Sequence, residues 1–220
     1  MSFETPLRKT PITERELKHE ARKILARFEN EEFYINRGGA GIVYDLPNGF
    51  CMKIMIDRHN SPNSHMMNLG NSIATESAFA ERLSKFKSRS KARSPNYSGY
   101  IQGNAEKPGI IIMEHLNADD LQQILLGKAE LPKNFNLDTF LSELELYMND
   151  LHSQLNIAHG DFEPRNVMVD RETGLPYVID FGRSVSLEKL TPQERQKFEQ
   201  EDWNKLEALE EKLEKLTKLS

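Results

Sequence analysis

The stretch from Ile157 to Arg183 reads IAHGDFEPRNVMVDRETGLPYVIDFGR, and it decides how the rest of the chain is interpreted. It contains the triplet His159-Gly160-Asp161 and then Asn166, five residues after the aspartate. It closes with the triplet Asp180-Phe181-Gly182. Each of these short motifs is frequent by chance. The complete set, in this order and spacing, is specific.

Two short apolar runs between these motifs are typical of strands. The runs cover 167–169 and 177–179, and turn-forming residues at 172–174 separate them. A hairpin built from these runs would fold Asp180 back beside Asn166. The spacing therefore predicts that a carboxylate and a carboxamide meet at one place.

Residues of these types are the ones that phosphoryl transfer from ATP requires. A carboxylate orients the attacking hydroxyl and accepts its proton, while an amide and a second carboxylate hold Mg²⁺ against the phosphates. Asp161 is the candidate base, and Asn166 and Asp180 are the candidate metal ligands. ATP and Mg²⁺ are therefore the expected substrate and cofactor.

This set resembles the protein-kinase-like superfamily, whose catalytic loop reads H-R-D-x-x-x-x-N and is followed by D-F-G. With Gly160 in place of the arginine, the loop is similar to those of RIO-type kinases, the small kinase of the KEOPS complex, aminoglycoside kinases and secreted bacterial effector kinases. The resemblance implies a bilobal α+β fold with a five-stranded antiparallel sheet in the first lobe. The resemblance covers about residues 33–183, and together with the helical patterns on either side it predicts an N-terminal arm and helix at 1–30, an N-lobe at 31–115, and a reduced helical C-lobe with a C-terminal helix at 116–220.

A glycine-rich hairpin is predicted at 33–44, FYINRGGAGIVY, between two strand-like runs. Glycines let a backbone approach phosphates closely and offer them N–H groups. In the kinase pattern G-x-G-x-x-G-x-V, an asparagine stands here in the place of the first glycine. The nucleotide-binding positions that the resemblance implies are Asn36, Gly38, Gly39, Gly41 and Val43.

The apolar run at 50–53 ends in a lysine and takes the place of the kinase V-A-I-K strand. Lys53 would bind the α- and β-phosphates, and it needs a carboxylate to fix its position. The helix predicted at about 72–85 offers Glu76 and Glu81. Glu76 fits better, because it lies in the first turns of that helix.

The adenine pocket would lie between this strand and the segment that joins the lobes. Cys51 takes the alanine position that lines the pocket in the family, although a small buried hydrophobic residue is its plainer role. The strand at 109–115 leads into the joining segment, with Met113 as the gatekeeper. The backbone of Glu114 to Leu116 would then bond the adenine.

Four helices are predicted from capping signals and apolar periodicity. A T-x-x-E capping box at 13–16 begins an N-terminal helix, and residues 118–126 suggest a short helix. Asn136 can cap a long helix that runs to about residue 156. A second capping box with a proline begins a final helix at Thr191, and its leucines are expected to pack on the long helix.

Two departures from the kinase pattern bear on activity. Glu163 stands where ordinary protein kinases carry a lysine that faces the transferring phosphate, and a carboxylate there opposes stabilisation of the transition state. Arg165 is close enough in sequence to compensate. Gly160 removes the arginine that grips a phosphorylated activation loop, so we expect activity without that phosphorylation.

Composition limits the compartment and the partners. The net charge of −5 argues against general nucleic-acid binding, and no apolar run is long enough to span a bilayer. The single cysteine and the absence of a signal-peptide core indicate a cytosol, either the cell's own or that of a host. The basic run at 85–93 is either a solvated segment or a docking patch for a partner, and the terminal helices are further candidates for docking.

These observations favour a minimal serine/threonine protein kinase whose partners are a protein substrate or an activating protein. A small-molecule kinase of the aminoglycoside type is one alternative, because it shares H-G-D. A nucleotide-binding pseudokinase or scaffold is the other, because of Glu163 and because few residues follow Gly182 to form a peptide-binding platform.

Overall fold

The structure is a computed structural model, and it describes residues 13–25, 34–37, 41–55, 73–101 and 109–219. The predicted arm at 1–11, the glycines Gly38 and Gly39, and the predicted loop at 57–71 lie outside these ranges. Within them, no helix combines the length and the apolar character that crossing a membrane requires.

An antiparallel sheet of five strands forms the first half of the fold. Its strands are β1 (Tyr34–Arg37), β2 (Gly41–Leu46), β3 (Phe50–Met55), β4 (Tyr97–Ile101) and β5 (Ile110–Glu114). The order across the sheet is β1-β2-β3-β5-β4, so that β3 lies in the middle. Asn48 and Gly49 turn the chain between β2 and β3 with left-handed φ angles of 66° and 77°. The central position of β3 places Lys53 inside the fold.

Two helices pack on this sheet. Helix α1 (Glu14–Leu25) begins with the predicted capping box, in which Thr13 N–H donates to Glu16 Oε2 over 2.7 Å. Its residues Leu17 and Ala21 are buried against apolar side chains of the sheet. Helix α2 (Ile73–Lys85) contacts β4 and β5. The predicted helix at about 72–85 is confirmed.

The second half combines helices with short strands. Its elements are β6 (Ala118–Asp120), α3 (Leu121–Leu125), α4 (Leu137–Ser153), β7 (Ile157–Ala158), β8 (Val167–Asp170), β9 (Pro176–Val178), β10 (Val185–Ser186) and α5 (Pro192–Leu219). Strands β6, β8 and β9 form one small sheet, and β7 pairs with β10. The predicted α+β class is confirmed.

The prediction of a helix over all of 118–126 is wrong at its start. Residues 118–120 are extended and pair with β8. Asp120 then accepts hydrogen bonds from Gln122 N–H and Gln123 N–H, so the helix begins only after it. A carboxylate that binds these N–H groups makes its own residue the cap rather than a helical position.

Helices α4 and α5 share one apolar core. Asn136 caps α4 by accepting from Thr139 N–H over 2.8 Å, as predicted, although the helix ends at Ser153 rather than near 156. The leucines of α5 pack into this core, and Trp203 meets the ring of His152 edge-on. The predicted packing of the final helix on the long helix is confirmed.

Candidate active site

Lys53 joins two carboxylates from different parts of the chain. Its Nζ lies 2.7 Å from Glu76 Oε1 and 2.8 Å from Asp180 Oδ1. Burial lowers the pKa of Lys53, but the two carboxylates outweigh burial and raise that pKa above its ordinary value. For Asp180, burial is the largest influence and raises the pKa, but the charge and hydrogen bond of Lys53 and the hydrogen bond from Gly182 N–H together outweigh burial and lower that pKa below its ordinary value. The amine is therefore held as a cation in the middle of the site.

Glu76 is buried, and its second oxygen has no partner among the described residues. Oε1 takes the Lys53 ammonium, whereas Oε2 meets no donor in the described parts of the chain. Burial raises the pKa of Glu76 above its ordinary value. Buried polar atoms are normally satisfied, and the exceptions concentrate at functional sites.

Arg82 fixes the helix that carries Glu76 to the second half of the fold. Its Nη2 donates to the Leu155 carbonyl over 2.7 Å and lies 3.2 Å from Glu188 Oε1. Since Arg82 is on the last turn of α2, these bonds hold the helix in the position that brings Glu76 to Lys53. Contacts within the described chain thus hold α2 in place and keep Glu76 paired with Lys53.

The hairpin predicted from the apolar runs is present and brings Asp180 to Asn166. Strands β8 and β9 pair, and Ile179 N–H donates to the Asn166 carbonyl over 2.9 Å. Asn166 Nδ2 donates to the Asp161 carbonyl over 2.7 Å and to Asp161 Oδ2 over 3.0 Å. Asp180 adopts a left-handed backbone with φ 62°, a conformation that is uncommon outside glycine and typical of functional sites.

His159 is completely buried and links the two aspartates through its ring. Its Nε2 lies 3.0 Å from the Ile179 carbonyl, and its Nδ1 lies 3.3 Å from Asp161 N–H. The first contact needs a proton on Nε2 and the second needs an unprotonated Nδ1, so the neutral ring satisfies both. The ring also packs against Phe162 and Phe181. His159 thereby fixes the spacing between the candidate base and the candidate metal ligand.

Asp202 on α5 holds the catalytic loop, and sequence reasoning missed it. Its Oδ2 accepts from His159 N–H over 2.7 Å, and its Oδ1 accepts from Gly160 N–H over 2.9 Å. His152 Nε2 lies 2.9 Å from Oδ2. The side chain is 1% exposed. A buried carboxylate between two backbone donors and an imidazole is a rigid support for the loop.

Gly160 occupies a position that only glycine fits. Its φ is +73°, and a Cβ built there would lie 2.5 Å from the Arg183 carbonyl oxygen. A side chain would collide with the backbone after Gly182 and push the two halves of the site apart. The H-G-D variant of the loop therefore has a steric cause in this fold.

Glu163 forms an ion pair with Lys205 of α5, a partner that the sequence did not suggest. Burial raises the pKa of Glu163, but the hydrogen bond and charge of Lys205, with the charges of Arg165 and Lys212, together outweigh burial and lower that pKa below its usual value. Arg165, the partner considered from the sequence, instead places Nη2 at 2.8 Å and 3.0 Å from the two Asp161 oxygens. The charge of Glu163 is thus compensated mainly by direct contact with α5, and Arg165 contributes from a longer distance.

The nucleotide-binding positions are only partly described. Cys51 and Met113 face each other in register on β3 and β5, and Cys51 Sγ lies 3.5 Å from the Glu114 carbonyl. The N–H of Glu114 donates to Asn96 and the N–H of His115 to Gly49. Among the described residues, the Leu116 N–H is then the donor of this segment for which no acceptor is present. Asn36 and Val43 pair between β1 and β2, and Gly41 begins β2.

Residues of the basic run at 85–93 are tied into the fold. Arg89 pairs with Asp150, whose side chain is fully buried, and Arg93 pairs with Glu114 over 2.6 Å. Burial raises the pKa of Asp150, but hydrogen bonds from Arg89 and neighbours outweigh it and lower that pKa to about 2. Docking through this run stays a prediction, and it would rely on Lys87 and Lys91, which are exposed.

The oxygen atoms around Asp180 fit a divalent cation. Asn166 turns its Nδ2 toward Asp161, which leaves its Oδ1 as an acceptor, and Asp180 uses Oδ1 for Lys53, which leaves Oδ2. Mg²⁺ prefers oxygen ligands and commonly takes one or two from the protein and the rest from phosphates and water. The described ranges contain no cluster of three His, Cys, Asp or Glu residues that could hold a metal alone. A metal shared with substrate phosphates is the arrangement that these residues fit.

Known proteins share part of this sequence pattern and much of this fold. Residues 110–186 match APH, the phosphotransferase enzyme family. No curated protein sequence matches the chain significantly. A crystal structure of WbdD is similar with a TM-score of 0.53 and 19% identity, over 80% of this chain and 37% of that one. A co-crystal structure of WbdD with the kinase inhibitor LY294002 is similar with a TM-score of 0.50 and 20% identity, over 73% and 34%.

The chain therefore spans about a third of the length of the WbdD chains. At these identities the likeness concerns the fold, and the chain has the protein-kinase-like fold. The matched range 110–186 contains Asp161, Asn166 and Asp180, and the match supports a phosphotransferase. The resemblance to the protein-kinase-like superfamily is confirmed.

Proposed function

We propose that the protein is an ATP- and Mg²⁺-dependent phosphotransferase that phosphorylates a serine or threonine hydroxyl of a protein. The observation that carries the proposal is the convergence of five polar side chains in two hydrogen-bonded groups, one around the Lys53 ammonium and one around the Asp161 carboxylate, which the bond from Ile179 N–H to the Asn166 carbonyl joins. These side chains are Lys53, Glu76, Asp161, Asn166 and Asp180. Because they come from both halves of the fold, packing for stability alone does not require their meeting.

Each side chain has a role that follows from its contacts. The Lys53 ammonium would bind α- and β-phosphate oxygens, with Glu76 holding it in place. Asn166 Oδ1 and Asp180 Oδ2 would ligate the metal, which when bound neutralises phosphate charge during transfer. Asp161 would orient the acceptor hydroxyl and take its proton, since its carboxylate lies beside the candidate metal ligand Asn166, with Oδ2 3.0 Å from Asn166 Nδ2.

The adenine would lie between the lobes. Cys51 and Met113 would line it, and the Leu116 N–H would donate to a ring nitrogen of the base. Asn36, Gly41 and Val43, with the glycines between β1 and β2, would cover the phosphates. The buried thiol of Cys51 suits a reducing cytosol, of the cell itself or of a host.

The Glu163–Lys205 pair favours an active enzyme over a scaffold. A free carboxylate close to the transferring phosphate would oppose the reaction, whereas a paired one carries little net charge. Arg82 favours activity without an activating partner, because α2 is already docked. Gly160 leaves the loop without an arginine for a phosphorylated residue, so activity should not await such phosphorylation.

A small-molecule acceptor is the second candidate. The match of residues 110–186 to a phosphotransferase family favours it, since related kinases with H-G-D act on small molecules. Both candidates use the same donor chemistry and differ only in the acceptor.

Transfer of the terminal phosphate from labelled ATP tests the proposal. Wild type, Asp161→Asn and the matched control Asp138→Asn are compared with Mg²⁺, using the protein itself, a generic protein substrate and a panel of small aminoalcohols as acceptors. We expect label in wild type and control and at least about a 100-fold loss in Asp161→Asn. Nucleotide binding without transfer in wild type would instead support a scaffold, and transfer to aminoalcohols alone would support the second candidate.

A further inference from the structure

Two arginines cover the carboxylate of Asp161. Arg165 Nη2 lies 2.8 Å from Oδ1 and 3.0 Å from Oδ2, and Arg183 Nη1 lies 3.6 Å from Oδ1. Asn166 Nδ2 occupies a further position at Oδ2. Both oxygens of the candidate base therefore already bind a donor. A base in this state is not free to accept the hydrogen bond of an incoming hydroxyl.

The arginines approach Asp161 from the side that is open to solvent. Arg165 and Asn166 are consecutive residues of one 3₁₀ turn at 164–166, yet Asn166 is buried while the Arg165 side chain is 50% exposed. The Arg183 side chain is 63% exposed. Asn166 thus lies on the buried side of Asp161, and the two guanidinium groups lie on its solvent-exposed side.

Arg165 and Arg183 share one ion-pair partner. Among the described residues, Asp161 is the carboxylate within ion-pair distance of both guanidinium groups. Glu163 is paired with Lys205, and Glu163 and Asp120 act on Arg165 only through longer-range charge interactions. When Asp161 turns to a hydroxyl, both guanidinium groups therefore lose the partner that they contact directly.

Resting on the proposed phosphotransferase activity, we propose that the acceptor carries a phosphate or carboxylate group next to the hydroxyl that is phosphorylated. Arg165 and Arg183 bind this anion, because a guanidinium pairs with carboxylate and phosphate in a bidentate manner. The exchange of partners releases the Asp161 oxygens. In a protein acceptor, the site is a serine or threonine flanked by acidic side chains. In a small-molecule acceptor, it is a hydroxyl beside a phosphate.

The chemical step remains an ordinary transfer. The acceptor oxygen forms a bond to the γ-phosphorus, and the bond between that phosphorus and the bridging oxygen breaks with its electron pair leaving on ADP. The hydroxyl proton passes to a freed oxygen of Asp161. The guanidinium groups take no proton and serve to position the acceptor and to uncover the base.

The test compares acceptors that differ only in charge. One series is a serine peptide flanked by glutamates, by glutamines or by lysines, and the other is glycerol phosphate against glycerol. Each is assayed with wild type, Arg165→Gln, Arg183→Gln and Arg22→Gln, the last being an exposed arginine of α1 in the other lobe. The ratio of kcat/KM for the anionic over the neutral acceptor cancels any effect of a variant on Asp161 itself.

We expect wild type to favour the anionic member of at least one series by about 10-fold or more, through KM. Each active-site arginine variant should reduce that ratio by about 3- to 10-fold, and Arg22→Gln should leave it unchanged. The preference should also weaken as salt is raised. The series that shows it identifies whether the acceptor is a protein or a small molecule.

Three results would overturn the proposal: equal or better use of the neutral acceptors, a preference that survives both arginine variants, or variants that raise KM for ATP and leave KM for the acceptor unchanged. If no acceptor is phosphorylated, binding of the glutamate-flanked peptide and of glycerol phosphate is measured by calorimetry. Binding that depends on Arg165 and Arg183 would then retain the anion site while refuting the phosphotransferase. Binding of neither probe, or binding that both variants keep, would refute the anion site.

Discussion

Replacing Asp202 with alanine should destabilise the protein strongly, although the residue contacts no proposed substrate. The carboxylate accepts from His159 N–H and Gly160 N–H, and His152 Nε2 binds it as well. The His159 N–H is buried, so leaving it without an acceptor costs about 1–3 kcal/mol, and the buried His152 ring loses its partner as well. Gly160 is exposed, so its N–H can bond to water and adds less. A domain is stable by only about 5–15 kcal/mol, so the loss is a large fraction of the total.

Urea unfolding of wild type, Asp202→Ala, Asp202→Asn and the control Glu207→Ala measures this loss. Asparagine keeps one oxygen but turns an NH₂ group toward a backbone donor, so its loss should be about half that of alanine. Glu207 is exposed on the same helix, and its replacement should change stability by less than about 0.5 kcal/mol. A change below about 1 kcal/mol for Asp202→Ala would refute the view that this carboxylate supports the loop.

Three other substitutions or labels test separate parts of the site. Gly160→Ala should lower stability and phosphate transfer more than Gly127→Ala does. Both glycines have positive φ, but of the two only Gly160 has a backbone atom where a Cβ would lie. Equal effects of the two variants on unfolding and on transfer would contradict this steric reason. Lys205→Gln should slow phosphate transfer several-fold, and adding Glu163→Gln should restore the rate; a double variant no faster than Lys205→Gln would be evidence against compensation. The small stabilisation of the fold by this pair should be present above about pH 4.5 and be lost as pH falls through the lowered Glu163 pKa. Burial, with the Asp45 and Glu114 carboxylates, raises the pKa of Cys51 to about 12. Iodoacetamide at pH 8 should therefore label the unfolded protein at least about 100-fold faster than the native protein, as measured by mass spectrometry. Rapid labelling of the native protein would show an accessible thiolate.

The parts of the site that were predictable depend on local signals. Asp161, Asn166 and Asp180 stand at fixed spacings within one short stretch, and a hairpin with a clear turn joins them. The capping boxes at Thr13 and Thr191 formed as predicted, because in each the threonine and the glutamate three residues later accept hydrogen bonds from each other's backbone N–H without help from the rest of the fold.

The parts that were missed depend on contacts between distant segments. Asp202 lies in a helix with many acidic residues, and its sequence neighbours do not distinguish it from the exposed ones. A usable signal was present, since Asp202 shares the helical spacing of the buried Leu206, Leu209 and Leu213. A carboxylate on an apolar stripe indicates a buried partner. Lys205 offers no such signal, because it is one of several exposed lysines of α5. The way α5 crosses the loop decides which of them reaches Glu163.

The support that Asp202 gives to the catalytic loop sets an order of events during synthesis. Translation proceeds from the N-terminus, at about 5–20 residues per second in cells, and domains fold as their segments emerge. The sheet with Lys53 and the hairpin with Asp180 leave the ribosome before α5 does. His159 N–H and Gly160 N–H have no acceptor until Asp202 arrives. A nascent chain can therefore pair the strands of its sheet early, but the loop at 159–161 gains its support from Asp202 only after α5 has emerged.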